Sequence, residues 1–295
     1  MGIQSSTMKL PLIHEILDYW HLLKPKIMYL VVLTGVTGII IAPGNIHPLI
    51  AVISTLCIAL GSGAAGAINM WYDSDIDALM TRTKTRPIPA GKISRSSALE
   101  VGLVLSFISV TIMMIAVNYI SGILLAISIG FYIYVYTMYL KRRTPQNIVI
   151  GGAAGALPPI IGWTSVTGSI SIESLVLFLI IFMWTPPHFW ALSLLNYHEY
   201  EKAKIPMLPV THGIFTTKIH ILVYSILLFP ITLLPGLFLK DPVLYEITAI
   251  PLGLMFVVQA FQVFKSSISY HYRVMFTYSI IYLFILFTCI MLSSF

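Results

Sequence analysis

The sequence predicts an all-α, polytopic membrane protein with nine transmembrane helices. Of its 295 residues, 58% are hydrophobic and only 9% are charged, whereas soluble globular proteins contain about 25% charged residues. Apolar stretches long enough to cross a bilayer recur along the whole chain. The predicted spans are residues 27–43, 48–70, 98–118, 121–140, 147–164, 172–195, 219–238, 243–264 and 274–294.

The segments between the predicted spans differ in length on the two sides of the membrane. The longest polar stretches, about 71–97 and 196–218, follow the second and sixth spans. Each carries acidic residues first and basic or proline-rich sequence afterwards, which suggests two related halves facing one cavity. The loops at 118–121 and 238–242 lie on the opposite side and are too short to build a site. The fifth span, 147–164, is short and rich in Gly and Pro.

Loop charge predicts the orientation of the chain. If the N-terminus is inside, every Lys and Arg except Lys240 falls in a cytoplasmic segment, as the positive-inside rule requires. Membrane anchoring and phosphate contacts then explain the net charge of +6, and no nucleic-acid partner is expected. Cys57 and Cys289 lie inside apolar spans and predict neither a disulfide framework nor a metal site. We therefore expect one transmembrane domain, residues 1–295, with a polar N-terminal segment at 1–20.

A stripe of polar side chains closes the second span. Asn69, Asp73 and Asp77 recur at every fourth residue, so they share one helical face, whereas Asp75 lies about 200° from Asp73 around the helix. Such groups at the mouth of a membrane helix are costly unless a cation lies against them, and Mg²⁺ prefers carboxylate oxygens. The stripe therefore predicts a Mg²⁺ site. The alternative is a helix end that becomes polar where it leaves the membrane.

Basic residues close to this stripe predict contacts with phosphate. Arg82 and Arg86 lie one turn apart if the helix continues, and they could form a fork over a diphosphate. Lys141 after the fourth span and Lys26 before the first span are further candidates. Ordinary anchoring at the membrane surface is the alternative explanation for each of them.

A second and weaker group follows the sixth span. Asn196 and Glu199 lie three residues apart where that span ends, so they could hold a second metal or the far end of the same phosphate. Inside the span, the Pro186–Pro187 pair bends the helix and frees backbone carbonyls. His188 comes next, and it either lines a ligand pocket as an iron ligand or bonds to the freed carbonyls.

Four motifs follow one another along the chain, the first of them in two parts. Asn-x-x-x-Asp-x-x-x-Asp at 69–77 precedes Arg-Thr-x-x-Arg-Pro at 82–87. Lys-Arg-Arg-Thr-Pro-Gln-Asn-Ile-Val-Ile-Gly-Gly stands at 141–152, Trp-Thr-Pro-Pro-His-Phe-Trp at 184–190 and Ile-Pro-Met-Leu-Pro-Val at 205–210. From about residue 20 to the last span, the chain resembles the UbiA superfamily of intramembrane prenyltransferases, and within it the branch that farnesylates protohaem.

This resemblance implies nine helices around a central cavity, with Mg²⁺ as cofactor and farnesyl diphosphate and protohaem as substrates. The farnesyl group would go to a vinyl group of protohaem with addition of water, and diphosphate would leave. The implied location is a prokaryotic cell membrane, or the mitochondrial inner membrane in a eukaryote. The product would be handed over to haem A synthase or to the assembly of a terminal oxidase.

The resemblance also assigns roles to residues. Glu199 stands where many relatives have Asp, and Asn196 stands where relatives often have Arg. The implied catalytic residues are Asn69, Asp73, Asp77 and Glu199, of which the three carboxylates would bind metal. The implied diphosphate-binding residues are Arg82 and Arg86, to which the basic pattern adds Lys141 and Lys26. The candidates for the haem pocket are His188 and Trp184.

Two other functions are compatible with parts of this pattern. A sister prenyltransferase acting on an aromatic acid or a quinone precursor would share the diphosphate site, and only the haem-type motifs argue against it. A secondary transporter would place polar groups near the bilayer midplane on broken helices. Here the acidic groups cluster at one membrane face, which disfavours transport.

Overall fold

The computed structural model describes residues 9–295, and the side chains from residue 14 onward; the start of the predicted N-terminal segment lies outside this range. Every regular element in the described range is helical. The helices are α1 (Lys9–Leu22), α2 (Pro25–Ile41), α3 (Pro48–Tyr72), α4 (Ser74–Leu79), α5 (Arg95–Ile112), α6 (Tyr119–Gly130), α7 (Asn147–Ala156), α8 (Pro158–Thr167), α9 (Ile172–Leu195), α10 (Tyr197–Lys202), α11 (Leu208–Leu233), α12 (Pro242–Lys265) and α13 (Ser269–Leu292).

Three further helical segments continue these elements. A π-helical turn, Met113–Val117, ends α5, and a 3₁₀ turn, Leu234–Leu237, ends α11. A longer π-helix, Phe131–Leu140, continues α6 to its end at the membrane edge. π-Helical windings are rare and occur frequently at functional sites.

The number of spans agrees with the nine predicted. In the described range, eight helices are long and apolar enough to cross a membrane, and α1 with α2 gives a ninth if this pair, bent by 55°, counts as one span. The predicted fifth span is divided into α7 and α8 because Pro158 and Pro159 begin a new helix. The predicted seventh span begins earlier, at Leu208, with a break at Gly213 where φ is 85°.

The spans close into a ring. Helix α2 packs on α3, α3 on α5, α5 on α6, α6 on α8, α7 on α9, α9 on α11, α11 on α12, and α12 on α13. Helix α13 then returns to α2. The largest apolar core lies between α9, α11, α12 and α13. A closed ring of helices in a protein of this size agrees with the all-α, polytopic fold that the sequence predicts.

Helices α2 and α8 approach each other closely enough for their backbones to touch. A Cβ atom added to Gly162 would lie 1.9 Å from the carbonyl oxygen of Gly35. One added to Gly38 would lie 2.1 Å from the carbonyl oxygen of Pro159. Small residues allow this kind of contact between membrane helices, and the contact fixes α2 against α8.

The two long polar stretches meet at one membrane edge. Ile76 and Met80 from the first stretch are buried together with Tyr200, Ile205 and Met207 from the second. This apolar contact holds α4 beside α10. The expectation that the two stretches face one place in the fold is therefore confirmed.

Candidate active site

The polar stripe keeps its spacing although the helix that carries it is interrupted. Helix α3 ends at Tyr72 and α4 begins at Ser74. Across this junction the Asp73 backbone N–H still donates to the carbonyl of Asn69 at 2.9 Å, and the Asp77 N–H donates to that of Asp73 at 2.8 Å. The three polar side chains of the stripe thus stay on one face, and all three are buried.

Each member of the stripe is in contact with a basic side chain. Lys141 forms an ion pair with Asp73, and Arg86 Nη1 lies 2.7 Å from Asp77 Oδ2. Asn69 accepts a hydrogen bond from Lys24 through its Oδ1 atom. Buried carboxylates require such partners, since an uncompensated charge away from water is strongly destabilising. The stripe and its cations form one compact polar cluster at the membrane edge.

The Asn69 amide group is held on its other side by two acceptors. Its Nδ2 atom lies 2.8 Å from Asp73 Oδ2 and 3.0 Å from Thr137 Oγ1. Thr137 belongs to the π-helix Phe131–Leu140, so a third segment of the chain reaches the stripe. All of these groups are buried, which makes the bonds more valuable than they would be in water.

Asp75 lies apart from the stripe, as its position around the helix predicts. Its carboxylate is exposed and takes two bonds from Arg142, of 2.7 and 2.8 Å. These hydrogen bonds hold the pKa of Asp75 below its usual range and raise the pKa of Arg142. Arg142 Nη2 also lies 3.6 Å from Asp73 Oδ1 and donates to the Tyr72 carbonyl at 3.2 Å.

We expect Asp75→Asn to lower activity only about two- to threefold, because it weakens a solvent-exposed ion pair worth about 0.2–1 kcal/mol. Arg142 would keep its bond to the Tyr72 carbonyl and its place beside Asp73. Steady-state rates of the purified variant test this expectation. A loss as large as that of a stripe variant would mean that Asp75 itself takes part in the chemistry.

Glu199 lies on α10, and its Oε2 atom is buried without a hydrogen-bond partner. In contrast, Asn196 donates to the Leu192 carbonyl at 2.8 Å and so ends α9. Between residues 14 and 295, no three His, Cys, Asp or Glu side chains are grouped to hold one metal ion. The metal-binding roles of Asp73, Asp77 and Glu199 stay a prediction.

Two of the predicted phosphate contacts are placed differently from expectation. Helix α4 ends at Leu79 and Met80 has an extended backbone, so Arg82 and Arg86 do not stand one turn apart. Arg86 reaches the stripe, whereas Arg82 is exposed. The predicted fork is therefore wrong. Lys26 is also exposed, and Lys24 reaches the stripe in its place.

An apolar cavity of about 110 Å³ begins beside Lys24. It lies between α2, α3, α6, α7 and α8. Its far wall includes Ile58 of α3. At a rise of 1.5 Å per residue, Ile58 lies about 16 Å from Asn69 along the helix axis. A Cβ atom on Gly155 would meet nothing within 4 Å, because Gly155 is part of this cavity wall. Tyr132 of the π-helix also lines the cavity.

His188 is enclosed between α9 and α13, away from this cavity. Its ring stacks between Trp184, with centroids 4.3 Å apart, and Phe276, at 4.8 Å. Its Nδ1 atom lies 2.6 Å from Ser279 Oγ, and the Trp184 indole N–H donates to the Ser279 carbonyl at 2.8 Å. The expected bond to carbonyls freed by the two prolines of α9 is therefore wrong. These contacts support a structural role for the His188 imidazole and the Trp184 indole.

We expect His188→Phe to lower stability by about 1–3 kcal/mol through the lost hydrogen bond and the altered packing. Protohaem affinity should stay within twofold of that of the unchanged protein, because the imidazole is enclosed by α13. Thermal denaturation and haem titration followed by absorbance measure the two quantities. Unchanged stability with a loss of haem affinity would instead place His188 in a porphyrin pocket.

Sequence reasoning missed three side chains that the structure brings to the site. Lys24 directly precedes Pro25, the first residue of α2, and the sequence prediction favours Lys26 instead. Thr137 carries a single hydroxyl group within an apolar segment, and no motif in the sequence singles it out. Arg142 stood inside the basic run after Lys141, and nothing in the sequence distinguished it from an anchoring residue.

Comparison with known proteins identifies this arrangement. The sequence model of the UbiA prenyltransferase family matches residues 31–288. A Protoheme IX farnesyltransferase of Ehrlichia canis is 81% identical over 295 residues, covering all of both chains. One from Anaplasma phagocytophilum is 64% identical over 280 residues, 94% of each chain, and one from Parvibaculum lavamentivorans is 52% identical over 281 residues, 94% of this chain and 88% of that one.

Solved structures share the fold at low sequence identity. A digeranylgeranylglyceryl phosphate synthase structure has a TM-score of 0.78 at 17% identity, covering 95% of this chain and 99% of that one. A UbiA homologue from Archaeoglobus fulgidus bound to DMAPP and Mg²⁺ has a TM-score of 0.72 at 17% identity, covering 92% and 99%. From the match over most of its length and the identity to its relatives, the chain belongs to the UbiA prenyltransferase family and is an intramembrane prenyltransferase.

Proposed function

We propose that this chain transfers the farnesyl group of farnesyl diphosphate to a vinyl group of protohaem with addition of water. The observation that carries the proposal is the buried stripe of Asn69, Asp73 and Asp77, which cations contact and which Lys24 joins to an apolar cavity. Relatives up to 81% identical over the full chain are named Protoheme IX farnesyltransferase. Together these supply the reaction class and the acceptor.

The residues of the cluster fit a diphosphate accompanied by Mg²⁺. Asp73 Oδ1 and Glu199 Oε2 are both buried and lack a hydrogen-bond partner, which leaves oxygen atoms for a hard cation. Asp73, Asp77 and Glu199 would hold the ion through their carboxylate oxygens. Bound Mg²⁺ would supply neutralisation of the charge on the departing diphosphate. The UbiA homologue from Archaeoglobus fulgidus is described with both DMAPP and Mg²⁺ bound.

The basic side chains keep donors available for phosphate oxygens. Arg86 uses Nη1 on Asp77, and its other N–H groups remain for a bidentate contact. Lys141 and Lys24 each have three ammonium hydrogens and one contact with the stripe. These groups would bind the diphosphate and stabilise the negative charge that develops when the bond between carbon and oxygen breaks.

The apolar cavity suits the farnesyl chain. Its lining is apolar except for Lys24 at the mouth and a few hydroxyl groups, so the tail would be buried while the diphosphate stays at the cluster. The electron pair of the broken bond leaves with the diphosphate, and the allylic cation left behind can be stabilised by an aromatic face such as Tyr132. The vinyl group then attacks, water adds to the new cation, and a proton leaves.

We also propose that the cluster faces the cytoplasm. Every basic residue outside the spans except Lys240 is predicted on the side of the cluster, as the positive-inside rule requires of a cytoplasmic face. Hand-over of the product to haem A synthase or to terminal oxidase assembly remains a prediction from the resemblance. Protease protection of a tag fused after Phe295, in vesicles of known orientation, would test the orientation.

The acceptor is tested by incubating the purified protein with Mg²⁺, farnesyl diphosphate and an equimolar mixture of protohaem and 4-hydroxybenzoate. We expect mass spectrometry to show hydroxyethylfarnesyl haem and released diphosphate, with 4-hydroxybenzoate unchanged. Prenylated 4-hydroxybenzoate as the main product would contradict the proposal and favour the sister activity. The Asp73→Asn variant serves as the inactive control.

Arg86 and Arg82 are a matched pair for testing the diphosphate site. We expect Arg86→Gln to weaken farnesyl diphosphate binding by about tenfold or more, the size of one lost charged hydrogen bond, and to leave protohaem binding unchanged. Arg82→Gln should change both affinities less than twofold, because its side chain is exposed. Equal losses for both substrates in Arg86→Gln would argue that this residue is a structural anchor.

A further inference from the structure

Thr137 is fully buried where the π-helix Phe131–Leu140 meets the polar stripe. Its hydroxyl lies 2.8 Å from the carbonyl oxygen of Tyr132, five residues back, and 3.0 Å from Asn69 Nδ2. In an α-helix a threonine hydroxyl bonds to a carbonyl three or four residues back, so the wider π-helical winding gives this side chain its direction. Thr137 thus joins a wall of the apolar cavity to the stripe.

The polarity of these bonds follows from what each group can donate. A carbonyl oxygen can only accept, so the Thr137 hydroxyl gives its single hydrogen to Tyr132. The hydroxyl oxygen is then left as an acceptor, and the Asn69 amide must turn its NH₂ group toward it. The other hydrogen of that NH₂ group goes to Asp73 Oδ2 at 2.8 Å. Both hydrogens are used, so Asn69 Oδ1 must face the opposite side, where Lys24 lies.

We propose that Thr137 is a positioning residue that fixes the amide orientation of Asn69, so that an oxygen and not an NH₂ group faces the cationic side of the site. The inference rests on the proposed function, because it makes this oxygen available to cations that accompany a prenyl diphosphate. In the reverse orientation, the amide would direct N–H donors at Lys24 and at a metal ion, both of which require an acceptor. Thr137 acts through Asn69 and contacts no reacting atom.

Thr137→Val removes the hydroxyl and keeps the branched shape, and Thr137→Ser restores the hydroxyl. We expect Thr137→Val to bind farnesyl thiodiphosphate about tenfold more weakly in the presence of Mg²⁺, the size of one lost hydrogen bond of about 1.4 kcal/mol. Protohaem affinity should be unchanged, and Thr137→Ser should bind the analogue within twofold of the unchanged protein. Isothermal titration measures these affinities without turnover. If Thr137→Val does not fold, Thr137→Ala makes the same test.

Thr232 provides a matched control. It is also fully buried, and its hydroxyl likewise lies between a carbonyl, that of Leu228, and a side chain, Tyr282. Thr232→Val should lower thermal stability and leave the affinity for the analogue unchanged. Unchanged affinity in Thr137→Val, or failure of Thr137→Ser to restore it, would overturn the inference alone. Absence of binding by the unchanged protein in Mg²⁺ would overturn the proposed function, and this inference with it.

Discussion

Asp73→Asn and Asp77→Asn are each expected to lower the rate of farnesyl transfer by about 100-fold or more, the size of effect seen when one preorganised electrostatic group is removed from an active site. Each substitution keeps the shape of the side chain and removes its negative charge. Each carboxylate contacts a buried or half-buried cation. Its negative charge therefore balances a positive charge of the cluster. Initial rates with both substrates at saturation give the measurement.

The control for this prediction is Asp75→Asn, which removes the same charge only two residues away from the stripe. Its side chain is exposed, whereas those of Asp73 and Asp77 are buried. All three variants should retain the helical circular dichroism of the unchanged protein, because the ring of spans does not depend on them. If the stripe variants fold and turn over at the same rate as Asp75→Asn, the site has been placed on the wrong residues.

Lys141→Met is expected to weaken farnesyl diphosphate binding by about 10- to 100-fold, since bonds to charged groups contribute about 1.5–3 kcal/mol. Methionine keeps much of the length of the side chain and removes the ammonium. The substitution also removes the nearest cation of the buried Asp73 carboxylate, which keeps its hydrogen bond from Asn69 and the longer contact to Arg142 at 3.6 Å. We therefore expect the turnover number to fall as well, and thermal stability to decrease.

Arg143→Met is the matched control, because Arg143 lies two residues further along the same basic run and is exposed. Its guanidinium lies over the ring of Tyr139, 4.4 Å from the ring centroid. The side chain therefore packs on the surface of the protein. This variant should bind farnesyl diphosphate within twofold of the unchanged protein. Comparable losses in the two variants would show that the run acts through its total charge at the membrane surface.

The stripe could be predicted from sequence because its geometry is local. A spacing of four residues places side chains on one face of any helix. At the junction near Asp73, this spacing is kept by backbone hydrogen bonds between residues that are close in sequence. The spans were predictable for a similar reason, since hydrophobicity over about twenty residues decides whether a helix can cross a membrane. Neither prediction required knowledge of which helices meet.

The partners of the stripe could not be predicted in the same way. Lys24 is separated from Asn69 by 45 residues, and Thr137 is separated from it by 68. Whether Lys24 or Lys26 turns inward depends on the bend between α1 and α2, where Lys24 has a left-handed backbone with φ of 55°. The error for Arg82 came from extending α4 beyond Leu79. These outcomes are decided by tertiary packing and by where a helix ends.

His188 shows how a motif can predict a family without giving the role of each residue. The string at 184–190 was part of the resemblance, and the relatives are named for an activity on protohaem. In the structure the imidazole is held by Ser279 and two aromatic rings. These contacts support a role for His188 in packing α9 against α13.

The central claim is that the stripe and its cations bind a diphosphate together with Mg²⁺. The most direct test is to titrate the purified protein with farnesyl thiodiphosphate, a slowly reacting analogue, in Mg²⁺ and again after the metal is removed with EDTA. We predict that affinity falls by about tenfold or more without Mg²⁺, and that Asp73→Asn/Asp77→Asn abolishes the difference between the two conditions. Equal affinity with and without Mg²⁺, unaffected by the double substitution, would contradict the account.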